Sequence, residues 1–159
     1  MILKNTQFGD IQYTADDLLV LPEGLVGMPQ YCHFLVLDFE GEHAFKVLQS
    51  TDESDINFLM ADPRLFRPDF DYEAVAQARE PLGIESGEDL VVFVLCTWRE
   101  SFENSTGNLM GPIVVNAETR RGLQVILEDG RYSVHESLFR VEKEPVPSSK
   151  EDESAQVAG

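Results

Sequence analysis

The chain of 159 residues carries 12 Lys and Arg against 29 Asp and Glu, a net charge of −17, with 43% apolar and 26% charged residues. That length buries one sizeable core but is too short for two ordinary domains plus a tail, and no apolar run reaches the roughly 20 residues that span a bilayer, so a soluble single domain with no membrane partner is expected. Nucleic acid is excluded as a direct ligand, because phosphate binding depends on neutralisation by cations, and a basic protein is the better-matched partner.

The start, Met1-Ile2-Leu3-Lys4-Asn5, lacks the basic, apolar and small-residue segments of a secretory signal. Residues 7–13 and 18–21 then read as strands, short and rich in apolar, aromatic or β-branched side chains. The next stretch, Leu21-Pro22-Glu23-Gly24-Leu25-Val26-Gly27-Met28-Pro29, sets apolar side chains between two Gly and two Pro, where an ordinary surface turn would be polar. Its apolar residues either enter the core or face a partner.

Cys32 opens the strand expected over 33–37, and Cys96 lies in the apolar run 91–96; two such cysteines make no disulfide scaffold and fit a reducing cytoplasm. Strands are expected at 45–49 and 57–61. The following loop, Asp62-Pro63-Arg64-Leu65-Phe66-Arg67-Pro68-Asp69-Phe70, mixes Pro, Arg and Phe, a composition shared by core anchors and interface hot spots. One helix is expected from Asp69 or Asp71, either able to cap it, through Arg79, stopping before Pro81 and Gly83.

Residues 90–98 are apolar on both alternating faces, which predicts a central strand covered on both sides. Strands at 113–116 and 122–127 complete the series. Many short strands at near-regular spacing indicate a mainly β protein, a single compact β-barrel-like domain over residues 1–140 with one or a few short helices. From roughly Glu142 onward apolar residues almost vanish, so 141–159 is expected to be a disordered acidic tail. Residues 1–139 hold nine basic and 24 acidic side chains, a charge of −15, so the acidity belongs to the folded body.

No catalytic constellation stands out. His33, His43 and His135 share no metal-ligand spacing with one another or with the cysteines, and the acidic clusters at 52–55 and 69–73 lack the central Gly and terminal Glu of a calcium loop. Nucleophile elbows and phosphate-binding glycine loops are missing. No enzyme activity, no metal and no cofactor are expected.

Several motifs together resemble the FliW family of flagellar assembly factors. They are Thr6-Gln7-Phe8-Gly9-Asp10-Ile11, the stretch 21–27, Leu48-Gln49-Ser50, Asp62-Pro63, Phe66, Pro68-Asp69-Phe70, the run 106–116 through Asn108-Leu109-Met110, then Gly122 and Gln124-Val125. The resemblance covers residues 5–139. It implies a β-barrel-like fold and two protein partners, flagellin and the small basic RNA-binding translational regulator CsrA. In that picture, flagellin held by the protein leaves CsrA free to repress flagellin translation. Export of flagellin releases the protein to sequester CsrA, non-competitively with RNA.

The chain departs from the family at 132–138, where Tyr-Ser-Val-His-Glu-Ser-Leu replaces a more basic and Pro-rich stretch, and at Met110-Gly111-Pro112. Partner-contact candidates, chosen by motif membership in predicted turns and strand ends, are Phe8, Asp10, Leu25, Phe66, Asp69, Asn108 and Met110. A free monomer is expected. The alternatives are an acidic chaperone for another basic or aggregation-prone protein, and a barrel holding a small ligand in its mouth.

Overall fold

The computed structural model describes residues 1–139 except Glu42 and Asp129; the tail expected over 141–159 lies outside the described residues. The strands are β1 (Ile2–Thr6), β2 (Gly9–Gln12), β3 (Leu19–Val20), β4 (His33–Asp38), β5 (Phe45–Ser50), β6 (Asn57–Ala61), β7 (Leu90–Arg99), β8 (Ser101–Gly107), β9 (Ile113–Asn116), β10 (Arg121–Gln124) and β11 (Glu136–Ser137). β3 to β7 follow one another as antiparallel neighbours, β10 pairs with both β3 and β9, and β9 returns to the first half of β7. The result is the expected barrel, a closed ring of seven strands. β8 and β11 extend from the second half of β7 as a flap outside the ring.

β7 explains its own sequence. It is paired on both edges, and its alternate side chains enter two different apolar clusters. Leu19, Phe34, Leu48, Met60, Ile113 and Val115 share one parity and fill the ring's interior, with Val91, Phe93 and Leu95 packed against them. The opposite parity, Phe45, Ala61, Val92, Val94 and Val114, faces outward and is covered by Phe66, Phe70, Val75, Leu109, Val125 and Tyr132 from the long loops. The interior is thus packed with side chains.

Ring closure between β3 and β10 rests on one parallel pair, Val20 opposite Arg121. Arg120, in a left-handed conformation (φ 59°), reinforces it: its carbonyl accepts the Val20 N–H at 2.9 Å, and its guanidinium donates to the Leu18 and Asp17 carbonyls at 3.3 and 3.0 Å.

Two expectations are corrected, and one strand was not foreseen. The strand expected at 7–13 is a hairpin, because Gly9 (φ 88°) and Asn5 (φ 65°) turn the chain at Gln7 and Phe8, leaving β1 and β2 as a separate two-stranded sheet. The expected helix is a 3-10 segment, Tyr72–Ala78, kinked at Val75 and followed by α1 (Arg79–Leu82), which ends on left-handed Gly83. Pro81 lies inside that turn, where no N–H is required of it. β8 is a strand that its polar sequence, Ser-Phe-Glu-Asn-Ser-Thr-Gly, did not announce.

The Leu48-Gln49-Ser50 motif builds the 50–56 loop. Buried Gln49 donates its amide to the Ser50, Ser54 and Ile56 carbonyls, and Ser50 Oγ accepts the N–H groups of Asp52 and Glu53. Asp52 thereby reaches β4, accepting the N–H groups of Cys32 at 2.9 Å and His33 at 3.1 Å, with His33 Nδ1 3.1 Å from its other oxygen. Burial pushes the Asp52 carboxyl up, but these amides and the imidazole outweigh it and hold the pKa below the ordinary carboxylate value. A depressed carboxylate pKa adds stability above its unfolded value of about 3.9 and loses it as pH falls through the folded value. Asp52→Asn should therefore be less stable than the parent at pH about 6, with the gap closing towards pH about 3. Urea midpoints at the two pH values test this, and a gap independent of pH would count against it.

Candidate functional site

The β1–β2 hairpin places Phe8 over a groove on the outside of the ring. Thr6 Oγ1 organises the tip, donating to the Gly9 carbonyl and accepting the Phe8 N–H at 3.0 Å; Asp10 braces it by accepting the Asn5 N–H at 3.0 Å. The groove, about 300 Å³, is lined by Gln7 and Phe8 from the tip, Phe39, Val47, Asn57, Phe58 and Leu59 from the β4–β6 region, and Trp98 near the end of β7. Phe8 and Trp98 are each 39% exposed. Trp98 is held in place edge-on to Phe39 and Phe45, with ring centroids 5.6 and 5.9 Å apart, and Phe45 is backed by Phe102 at 5.4 Å. Fixed aromatic rings presented to solvent give a partner large apolar contact at little ordering cost. Gln7 and Asn57 supply amides at the edge, 3.4 Å from each other.

A second surface surrounds Asp69. Asp62 caps the turn Pro63–Leu65 and Asp71 caps Tyr72–Ala78, each accepting an N–H two residues on. Between them Arg67 donates to Asp69 at 3.2 Å, a hydrogen bond that holds the Asp69 carboxyl below its usual range, and it also lies 3.5 Å from Glu136. Arg64 stacks 4.2 Å over the Tyr72 ring, and Arg67 and Arg131 approach the Tyr132 ring at 5.2 and 5.3 Å. Its arginines sit against rings and carboxylates, so the surface presents mixed charge in a broad open cleft of about 570 Å³.

Asn108 and Met110 belong to a third place, the link from β8 to β9. The Asn108 N–H bonds the Leu95 carbonyl at 2.8 Å and its side chain accepts the Met110 N–H at 3.1 Å, so Asn108 shapes the turn while Met110 stays half-buried. Gln124 ties this link to the glycine-rich loop, donating to the Gly111 carbonyl at 2.9 Å and accepting the Val26 N–H at 2.7 Å. Val26 and Ile126 are exposed beside it.

Leu25 and Phe66 are 2% and 1% exposed. That corrects their expected place at a partner surface, since both are anchors that draw their loops onto the core. The seven candidates thus scatter over three surfaces and the core, and only Phe8 joins an apolar groove. Sequence reasoning missed Phe39 and Trp98; the available signal was a lone Trp and a Phe at the exposed ends of apolar strands.

Burial pushes the Cys96 thiol up to about 12, so it stays protonated at neutral pH and serves as a small apolar side chain. Among the described residues no cluster of three or more His, Cys, Asp or Glu is arranged to hold a metal, and no helix is long and apolar enough to cross a membrane.

A family model described as "FliW protein" matches residues 2–138. A flagellar assembly factor FliW of Caldanaerobacter subterraneus subsp. tengcongensis is 38% identical over 140 residues, spanning 87% of this chain and 93% of that protein. One from Bacillus licheniformis is 38% identical over 132 residues, spanning 83% and 92%. A crystal structure of the flagellar assembly factor FliW matches with a TM-score of 0.75 at 28% identity, over 89% of this chain and 99% of that one.

Proposed function

Because this chain belongs to the FliW family of flagellar assembly factors, we propose that it works in the cytoplasm by binding flagellin and CsrA in alternation, relieving CsrA repression of flagellin translation when flagellin is exported. The observation that carries the reading is the family match over nearly the whole described body, joined to that body's charge of −15 over residues 1–139. A basic regulator is drawn to such a surface, and the field raises its encounter rate by roughly 10 to 1,000-fold. Antagonism beside the RNA site, and not by mimicking RNA, then requires only that bound protein disfavour the RNA-binding state of CsrA. Alternation follows if each ligand weakens the other, a reciprocal coupling by thermodynamic necessity.

The packed ring interior speaks against a small ligand held within the barrel. Titration of the protein with CsrA, with and without flagellin, is the test. Saturable CsrA binding is expected, relieved by flagellin and weakened roughly tenfold between about 0.1 and 1 M salt, as the Debye length contracts from about 10 to 3 Å. Flagellin binding without CsrA binding would reduce the role to a chaperone, and binding of neither would remove the proposal.

A further inference from the structure

Three of the nine cations of residues 1–139, Arg64, Arg67 and Arg131, meet at the Asp69 surface. Arg67 is paired with Asp69 and Glu136, and Arg131 with Asp71. Arg64 makes no ion pair among the described residues. Its guanidinium is exposed, stacked 4.2 Å over the Tyr72 ring and bonded once, to the Phe70 carbonyl at 3.4 Å, so it is held in place with most of its N–H groups open. A carboxylate is the group that fits such a fork. We propose that the chain supplies it: Glu142 and Glu144 fold back onto Arg64, and residues 140–144 form a cover over the Asp69 cleft that any partner using this surface must displace.

The place where the described chain ends points to this occupant. Segment 131–139 runs beside the 64–71 loop. At one end its Arg131 carbonyl accepts from Arg67 and its Tyr132 hydroxyl from the Asp71 N–H; at the other the Phe139 N–H donates to the Leu65 carbonyl at 3.1 Å. Leu65 is the neighbour of Arg64, and Glu142 and Glu144 follow Phe139 by three and five residues, roughly 10 and 17 Å of extended chain. Exposed ion pairs are individually weak, but so short a tether raises the effective concentration to about the millimolar range, where weak contacts count. The charge pattern agrees as well. Arg140, Glu142, Lys143 and Glu144 alternate in sign, and the cleft sets Asp69, Asp71 and Glu73 beside Arg64. The rest of an acidic body repels Glu142 and Glu144, which sharpens their preference for a cluster of guanidiniums.

The test follows the arginine side chains of the full chain by heteronuclear NMR, where each of the eight arginines gives one Nε–H signal and Arg64→Lys identifies its own by removing it. Glu142→Gln combined with Glu144→Gln is expected to shift the Arg64 signal. Raising salt from about 0.1 to 1 M is expected to shift it in the same direction, as the Debye length contracts from about 10 to 3 Å. Glu151→Gln combined with Glu153→Gln removes the same charge farther along the chain and is expected to leave the signal in place. An Arg64 signal that ignores Glu142 and Glu144 overturns the proposal and leaves the cleft to a separate partner, and one that answers equally to Glu151 and Glu153 overturns it as a general effect of charge. A difference between parent and variant that vanishes on about tenfold dilution also overturns it, because the segment in the cleft would then belong to a second copy.

Discussion

Gly24→Ala should cost about 3–5 kcal/mol of stability, a large share of the roughly 5–15 kcal/mol available to a domain. Gly24 has φ +71°, where a side chain costs about 1–2 kcal/mol, and its N–H bonds the Leu21 carbonyl at 2.8 Å. A Cβ there would lie 2.4 Å from the Pro29 carbonyl oxygen and 2.6 Å from its Cα, and backbone on both sides leaves nothing to swing aside. The loop would have to open, and with it go Leu21 and Leu25, which fill one end of the ring interior. Each buried leucine contributes about 1.5–3 kcal/mol. Gly27 also has positive φ (85°) but no atom within 4 Å of its Cβ direction, so Gly27→Ala should lose only the conformational part, about 1–2 kcal/mol. Urea unfolding of the two variants is the check; equal losses would show that the Pro29 contact is relieved in some other way.

Phe66→Ala should cost about 3–5 kcal/mol while leaving the affinity of the folded protein for its partners unchanged. Phe66 sits in the outer cluster, and its ring occupies the space that a side chain at residue 107 would need: a Cβ on Gly107 would lie 2.7 Å from Phe66 Cε2. The glycine in β8 and the phenylalanine in the 62–70 loop are thus one fitted pair that fastens the loop to the flap. Truncation leaves a cavity that neighbours fill only in part. Chemical denaturation measures the loss, and titration of the folded fraction at low temperature measures affinity. A tenfold loss of partner binding with unchanged stability would return Phe66 to the interface and refute its assignment as an anchor.

The pair also shows how far the sequence could be read. The strands at 33–37, 45–49, 57–61, 90–98 and 113–116 were legible because apolar residues dominate them, and β7 announced its central place by being apolar on both faces. β8 was not, because its residues are mostly polar and its burial follows no alternating pattern. The loops at 21–29 and 62–70 were legible as unusual, yet apolar residues in a loop read the same whether they turn inward or outward. Only burial decided for Leu25 and Phe66. The groove could not have been read at all, since Phe8, Phe39 and Trp98 lie on three segments up to 90 residues apart and meet only once the hairpin folds over the ring.

The seam at Arg120 sets an order of events during folding. β4, β5, β6 and the hairpin of β7 with β8 join neighbours across short connections, whereas Val20 must wait for Arg121, roughly a hundred residues on. Closing a loop of that length costs about 2.5–3 kcal/mol more in chain entropy than closing a hairpin of five residues. Until then the ring is an open meander with β3 and β10 as bare edges, the form most prone to pair with another chain. On the ribosome β3 stays a bare edge while the hundred residues before its partner are made, and it is covered only once Arg120 can donate to Leu18 and Asp17 and Arg121 can pair with Val20.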